Sequence, residues 1–453
     1  MSKYTTSRTK KQLSYKKPRK TKSKTKSNTK RYTKKNSIIK KSKIVKSQPF
    51  SARIIIQNNI GGVVVDKNTI KEIMETIGGI VEVVIFNDIK NDINIKHKMH
   101  SKVKFDKVNI QFFIEHIFLE YPLDIFPADQ SYIFINQEYI QDWDIARMQD
   151  KTVIPLCKTQ EGLNTIHKLG IMHAKYVGYG DNVKYKYIDS IDKLQNVFIH
   201  IVGFSPMKGT RILIDTWINK NIRKPLIIIA NNQSSGNFNL FKYWKTLNAK
   251  VKPLPKSILN KWSEWLKVTS LKDITLPEFE TLNSCDIYFC GILVDYNIIK
   301  FFQTIADVHM CPSVVEGWGQ YLDEGRRSKS VVLTIDAPPM NELIRDNNTD
   351  NTDNNTDNNN STGILVKAYK GLNMRQILPY GWTQYFTKNH EYNKFLYGTY
   401  KTTINDLYDG ISRILKMTPK QKKQIGNNAI KQSQIDYDTF KTNFINLILD
   451  TNK

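Results

Sequence analysis

Short apolar runs alternate along most of the chain with segments in which apolar residues recur every three or four positions. The runs predict buried strands, because a strand that is covered on both faces is apolar at nearly every position. The three-to-four spacing predicts amphipathic helices, which turn one apolar stripe toward a core. Strands that alternate with helices in this order favour parallel α/β sheets, since parallel strands need a crossover connection.

The predicted elements form two series, which a polar stretch at 178–193 separates as a linker. Strands are predicted at 53–57, 81–86, 108–113, 132–135, 152–157, 173–177, 197–202, 225–230, 285–290, 308–311, 331–335 and 364–366. Helices are predicted at 65–77, 139–148, 160–169, 208–219, 257–266, 296–305, 320–328, 339–344, 403–416, 419–433 and 437–449. The two series predict an N-terminal α/β unit at 50–192 and a C-terminal one at 193–400.

Two segments outside this pattern are expected to be disordered. The chain has 453 residues and a net charge of +26, and residues 1–47 carry 19 lysines and arginines without one acidic residue. Residues 1–48 therefore predict a basic tail with too few apolar side chains to fold. The Asn/Asp/Thr-rich stretch at 346–362 predicts a low-complexity surface insertion.

Three interpretations of the basic tail stay open. It can be an arm that binds nucleic acid, anionic lipid or another anionic partner through its charge. It can be a nuclear-targeting patch. The third interpretation is a solvated tail without a specific partner.

The four cysteines, Cys157, Cys285, Cys290 and Cys311, are too few for a secreted disulfide framework in a chain of this length. Cys285 and Cys290 are close together, but no second pair or histidine cluster accompanies them, so buried thiols are favoured over a zinc site. No apolar run approaches 18 residues, and the basic N-terminus lacks the apolar segment of a secretory signal. We therefore expect no transmembrane segment and a reducing, cytoplasmic location, either free or peripheral to a membrane.

Two glycine turns stand between a predicted strand and the helix that follows it. The first, Gly61-Gly62, allows a tight turn but lacks the complete dinucleotide fingerprint, so a plain strand–helix turn is its alternative. The second runs from Gly203 to Thr210 and places Lys208 at a helix start, where its ammonium group can meet phosphate oxygens. A solvated lysine is the alternative there.

A third turn, from Glu316 to Glu324, follows another buried strand. Gly317 and Gly319 keep this turn thin, so that N–H groups at the helix start can face a sugar or a phosphate. The two glutamates frame the turn with seven residues between them, and their carboxylates can accept hydrogen bonds from hydroxyl groups. Helix stabilisation by acidic residues is the alternative, but it explains neither the paired glycines nor Trp318, which we expect to be exposed.

With these residues, segment 311–342 resembles the donor site of GT-B glycosyltransferases in the large retaining group around glycosyltransferase family 4, which carries an E-x7-E motif. The stretch from Val331 to Glu342 is similar to a pattern that follows this motif in a subfamily. The turn from Gly203 to Thr210 is similar to the group's phosphate-binding turn. The resemblance covers roughly 53–345 with gaps.

The resemblance implies two Rossmann-like domains that face a central cleft. The acceptor domain would comprise 50–192 and the nucleotide-sugar donor domain 193–400, with helices at 401–453 packing across both. The activity would be retaining sugar transfer from a nucleotide-sugar donor to a glycan, protein or lipid acceptor, without a metal or a further cofactor.

The resemblance also implies a role for each matching residue. Glu316 would bind hydroxyls of the donor sugar, Glu324 the ribose of the nucleotide, and Lys208 would neutralise the diphosphate leaving group. Glu316 and Lys208 would thus serve catalysis. The other implied donor-binding residues are Gly61, Gly62, Gly203, Ser205, Gly209, Gly317, Trp318 and Gly319.

The sequence departs from the group at two positions. Phe204 stands where many relatives carry an arginine that helps the lysine hold the diphosphate. Gln320 stands where relatives often carry histidine or leucine. The first departure predicts either a weaker diphosphate clamp or a contribution from another residue.

Three further interpretations remain. Asp142-Trp-Asp144 is a D-x-D motif, which holds a metal ion in GT-A enzymes, although here it lies in a predicted helix. Glu115 and His116, at a strand end, are candidate acceptor-side groups, with ordinary loop or core residues as the alternative. Finally, a basic nucleic-acid-binding or structural protein with a degenerate glycosyltransferase fold would also account for the basic tail.

Overall fold

A computed structural model describes residues 49–57, 62–86, 104–117, 127–137, 140, 142–182, 193–203, 206–230, 251–254, 287–290, 296–347, 360–371 and 399–451. All of them belong to one compact unit, Val45–Lys453. The expected basic tail at 1–48, the predicted helix at 257–266 and most of the insertion at 346–362 lie outside the described residues.

The N-terminal half is a six-stranded sheet in which every described pairing is parallel. Its strands are β1 (Phe50–Ile56), β2 (Gly79–Ile85), β3 (Val108–Ile114), β4 (Ala128–Ile135), β5 (Ile154–Cys157) and β6 (Lys175–Tyr176), in the order β2-β1-β3-β4-β5-β6. Its helices are α1 (Gly62–Thr76), α2 (Asp142–Gln149) and α3 (Gln160–Lys168). The predicted parallel α/β unit is confirmed here.

The C-terminal half is a seven-stranded sheet, again with parallel pairings only among the described strands. Its strands are β7 (Leu194–Gly203), β8 (Leu226–Ala230), β9 (Val251–Pro253), β10 (Ile287–Cys290), β11 (Ala306–Cys311), β12 (Val331–Ile335) and β13 (Ile364–Val366), in the order β13-β12-β11-β7-β8-β10-β9. Its helices are α4 (Thr210–Asn219), α5 (Tyr296–Ile305), α6 (Gln320–Arg327) and the short α7 (Met340–Leu343). A small antiparallel pair, β14 (Tyr369–Lys370) and β15 (Tyr400–Lys401), follows.

Continuous burial explains why β8 reads as an unbroken apolar run, whereas β11 also carries the buried polar residues Asp307 and His309. All residues of β8, β11 and β12 are buried, because both faces of the sheet are covered. The exception in the other sheet is Arg53, a fully buried charge on β1. Its guanidinium donates to the Glu82 carboxylate at 2.6 Å and to the Phe105 carbonyl at 2.5 Å, which compensates the charge that burial takes out of water.

Two helices, α8 (Ile404–Lys416) and α9 (Pro419–Thr451), close the described chain. The prediction of separate helices at 419–433 and 437–449 is wrong, because α9 runs through the intervening residues without interruption. Side-chain bonds one turn apart, from Gln432 to Asp436 at 2.8 Å and from Gln434 to Asp438 at 3.0 Å, span the expected break.

Helix α9 packs against both halves. Phe444 lies against Phe112 and Phe134 of the N-terminal sheet, with ring centroids 5.3 and 5.6 Å apart. About two and three turns earlier, Asp436 and Ser433 bond to side chains of α6 in the C-terminal half. None of the helices among the described residues is long and apolar enough to cross a membrane.

Residues 178–182 and 193 of the predicted linker are among the described residues. Its first residues do not form an exposed connection, because Tyr179 and Asp181 are buried. Tyr179 packs edge-on against the Trp318 ring, 4.7 Å between centroids. The start of this stretch is therefore part of the packing between the two halves.

Candidate active site

The turn after β7 places Lys208 beside the start of α4. Pro206–Lys208 form a single 3-10 turn, and Gly209 then caps α4 with φ of 70°. A Cβ atom on Gly209 would lie 2.0 Å from the Pro312 carbonyl oxygen, so only glycine lets the two turns approach this closely. Gly203 ends β7, while Phe204 and Ser205 lie outside the described residues.

The turn after β11 leads into α6. Gly319 has φ of 97° and stands at the start of that helix. Glu316, Gly317 and Trp318 precede it and are buried. The expectation that Trp318 is exposed is wrong: 5% of the side chain is accessible, because Tyr179 from the other half covers it.

Lys208 and Glu316 meet, although 108 residues separate them. The Lys208 ammonium donates to both carboxylate oxygens, at 2.7 and 2.9 Å. It also lies 4.1 Å from the centroid of the Tyr321 ring, a favourable position for a cation. Ser313 donates to the same carboxylate and bonds to the Tyr321 hydroxyl at 2.5 Å, so Glu316 has a full set of partners.

Glu324 lies in the second turn of α6 and has a separate set of partners. Gln303 donates to one of its oxygens at 2.7 Å, and Gln320 and Tyr296 donate to the other at 3.0 and 3.3 Å. Loss of solvent raises the pKa of the Glu324 carboxyl, although these hydrogen bonds and the charge of Lys208 oppose the shift. All three of these hydrogen-bond partners are neutral side chains.

The N-terminal half reaches this site from the opposite side. Gly62 begins α1, and a Cβ atom on it would lie 2.5 Å from the Gln320 side-chain oxygen. Gln137 donates from its side chain to the Glu316 carbonyl at 2.9 Å. Gly62 thus lies next to the turn that carries Glu316, while Gly61 lies outside the described residues.

Glu342 makes a further connection between the halves. Its carboxylate accepts hydrogen bonds from the backbone N–H groups of Gln160 at 2.7 Å and Glu161 at 2.9 Å, at the start of α3. A carboxylate is well placed there, because a helix N-terminus carries partial positive charge. Loss of solvent raises the pKa of Glu342, and the two backbone bonds lower it in part. The sequence predicted only a helix start in this segment.

The remaining candidates lie at the carboxyl ends of the N-terminal strands. His116 follows β3, and its Nδ1 atom lies 3.1 Å from the Asp144 carboxylate, which also accepts from the Ile117 N–H at 2.7 Å. Asp144 is fully buried, so this half of the D-x-D motif is committed to local structure. Glu115 accepts from the Asn136 side chain at 2.6 Å and is treated in detail below.

Sequence reasoning missed several residues of the site. Tyr296 and Gln303 on α5 and Ser313 on the turn after β11 contact the two glutamates. Tyr296 begins the helix that follows a buried strand, and this position could have pointed to the carboxyl edge of the sheet, where α/β proteins bind ligands. Ser313 and Gln303 gave no comparable signal.

Together the two halves place helix starts, a lysine and two glutamates at one junction. The starts of α4 and α6 offer backbone N–H groups and partial positive charge, which suit an anion. Glu316 and Glu324 offer acceptors for hydroxyl groups. This arrangement can hold a ligand that carries both phosphate and several hydroxyls.

No protein-family model matches the sequence, and no curated protein matches it either. Solved structures do match. Sucrose-phosphate synthase from Thermosynechococcus elongatus has a TM-score of 0.55 at 12% identity, over 89% of this chain and 99% of that chain. Trehalose-6-phosphate synthase has a TM-score of 0.51 at 8% identity, over 88% and 98%.

HepE from Anabaena, in complex with UDP-glucose, has a TM-score of 0.50 at 11% identity, over 88% of this chain and 100% of that chain. Identities this low show the fold. The two parallel sheets, the facing helix starts and these matches agree with one another. The chain has the GT-B fold, an α/β architecture of two Rossmann-like domains that face a central cleft.

Proposed function

We propose that the protein is a glycosyltransferase that binds a nucleotide-sugar donor between Lys208 and the turn from Glu316 to Glu324. The observation that carries this proposal is the separation of the two glutamates into distinct sets of partners. Glu316 is paired with a cation, whereas Glu324 is held by neutral side chains only. A nucleotide sugar has two sets of hydroxyls, on sugar and ribose, with a diphosphate between them.

In this proposal each group has one role. Glu316 binds hydroxyls of the donor sugar, and Glu324 binds the ribose. Lys208 shifts from Glu316 toward the diphosphate when the donor arrives, and the N–H groups at the starts of α4 and α6 stabilise the same charge. The remaining implied contacts come from the glycine turns at 61–62, 203–209 and 317–319.

The proposed reaction is transfer with retention. Departure of the nucleoside diphosphate leaves an oxocarbenium-like centre, and the acceptor hydroxyl attacks from the same face, its proton passing to the leaving phosphate. The proposal names no protein nucleophile, metal or further cofactor. HepE, which shares the fold, was solved with UDP-glucose, and trehalose-6-phosphate synthase was studied for glycosyl transfer with retention; both support the choice of reaction.

A donor panel tests the proposal directly. Release of nucleotide from UDP-, GDP- and ADP-sugars is measured with the full-length protein, with and without candidate acceptors. Glu316→Ala, Glu324→Ala and Lys208→Ala are each expected to lower donor turnover at least tenfold. Lys220→Ala, at the opposite end of α4, is the matched control, since its ammonium lies over the Tyr408 ring instead.

Near-normal turnover in all three variants would overturn the site assignment. Loss of turnover on addition of EDTA would contradict the metal-independence of the proposed reaction. Absence of nucleotide release from every nucleotide sugar by the full-length protein would favour the remaining alternative, a basic binding protein with a degenerate glycosyltransferase fold. That alternative depends on residues 1–48, which lie outside the described residues.

A further inference from the structure

A chain of polar side chains crosses the carboxyl edge of the N-terminal sheet. We call Asp66, Glu115, Asn136 and Lys158 the edge cluster. The Lys158 ammonium donates to the Asp66 carboxylate at 2.5 Å and to the Asn136 side-chain oxygen at 3.1 Å. The Asn136 amide in turn donates to Glu115 at 2.6 Å. Three of the four residues follow the ends of β3, β4 and β5, where an α/β sheet binds its ligands.

The edge cluster lies beside the donor turn. Gln137, the residue after Asn136, donates to the Glu316 carbonyl at 2.9 Å. Lys158 lies 4.9 Å from the centroid of the Tyr179 ring, and Tyr179 packs against Trp318 at 4.7 Å. A molecule bound at the edge cluster would therefore be close to the sugar of a donor held at Glu316.

Glu115 has an unusual backbone conformation. Its φ is 71°, in the left-handed region that residues with a side chain rarely adopt. The bond from its N–H to the Phe134 carbonyl, 2.9 Å, holds it there at the end of the paired strands. Strained conformations of this kind persist where surrounding structure over-determines them, and they concentrate at functional sites.

The charge of the edge cluster selects what it can bind. Its lysine is already paired with Asp66, and Glu115 adds a second carboxylate, so the net charge of the four residues is negative when both are ionised. The adjacent His116 lies against the Asp144 carboxylate. This pair therefore adds no net positive charge, even when the histidine is protonated. A phosphorylated acceptor would meet repulsion, whereas a neutral hydroxyl can donate to the Glu115 carboxylate.

We infer that the edge cluster is the acceptor site, that Glu115 is its hydroxyl-binding residue, and that it accepts neutral polyhydroxyl compounds in preference to their phosphate esters. This inference rests on the proposed function. Asn136 acts as a positioning residue, because Lys158 orients its amide and the amide orients Glu115.

The test uses whichever nucleotide sugar of the donor panel the full-length protein turns over. Glucose, mannose, N-acetylglucosamine and glycerol are compared as acceptors with their respective phosphate esters. Transfer to at least one neutral compound is expected, with kcat/KM at least tenfold higher than for its ester. A preference for a phosphate ester, or transfer to none of the neutral compounds, overturns the inference. Absence of turnover with every donor contradicts the proposed function instead.

Two variants test Glu115 itself. Glu115→Gln is expected to raise the acceptor KM at least tenfold and to change the affinity for the product nucleotide less than twofold, as measured by calorimetry. Glu75→Gln, an exposed position on α1, is the control. Glu115→Gly relieves the backbone strain, so this variant should melt at or above the melting temperature of the wild type. Its acceptor KM should nevertheless rise. A lower melting temperature with an unchanged KM would assign Glu115 a structural role.

Discussion

Gly209 offers the sharpest test of how the donor turn is built. It has φ of 70° and stands against the turn after β11, where an added Cβ atom would lie 2.0 Å from the Pro312 carbonyl oxygen and 2.9 Å from the carbonyl carbon. Both atoms belong to the backbone, so no side chain can swing away. Gly209→Ala must therefore move one of the two turns that carry Lys208 and Glu316.

Two effects add in this variant. A side chain in the left-handed conformation costs about 1–2 kcal/mol. Overpacking against a neighbour that has to shift costs about 1–3 kcal/mol. We expect Gly209→Ala to lower the free energy of unfolding by about 2–5 kcal/mol and, because Lys208 is displaced, to weaken nucleotide binding.

Gly170 is the matched control. Its φ is 79°, but a Cβ atom there meets no other atom within 4 Å. Gly170→Ala should therefore show only the conformational cost, about 1–2 kcal/mol. Chemical denaturation of both variants gives the difference, and calorimetric titration with a nucleotide that the wild type binds gives the effect on the site. Equal destabilisation by the two substitutions would refute the reasoning.

Two further predictions concern the packing around the site. Asp323 is fully buried and pairs with Arg326 and Arg327, so Asp323→Asn should lower the free energy of unfolding by about 3–5 kcal/mol in chemical denaturation. Burial raises the pKa of Asp323, but the two arginine charges outweigh it and lower the pKa, so its stabilisation is present above about pH 4 and is lost as the pH falls. The variant should accordingly lose less stability on acidification, and an unchanged acid profile would contradict this account. Glu342→Gln should loosen the contact with α3 and enlarge the radius of gyration that small-angle scattering measures. Glu75→Gln is the control. Identical scattering curves for Glu342→Gln and the wild type would show that this contact does not hold the two halves together.

The fold could be predicted from the sequence where burial is local and continuous. The bounds of β12 and α5 match the prediction. Five consecutive apolar or β-branched residues in β12 favour a strand, and the regular apolar stripe of α5 favours a helix. The same pattern predicted two parallel sheets. The break expected between 433 and 437 is absent, because the polar side chains there bond one turn apart on the helix surface.

The candidate site could be predicted only in part. The resemblance implied that Lys208 and Glu316 belong to one donor site, and the parallel strands β7 and β11 bring them to the same edge of the sheet. Their direct ion pair depends on the approach of Gly209 to Pro312, which no pattern within either segment encodes. Burial of Trp318 likewise depends on Tyr179, which belongs to a stretch that the sequence alone presents as a polar connection.

Helix α9 has a consequence for the order in which the chain acquires its structure. Residues 419–451 leave the ribosome after both sheets have been synthesised, and only then can Phe440 and Phe444 cover the aromatic side chains of the N-terminal sheet. Ser433 and Asp436 reach the charges of α6 at the same late stage. The nascent chain therefore passes through a period in which the N-terminal sheet has been synthesised but the aromatic face that α9 later covers is still exposed, and that period is when chaperones have most to protect.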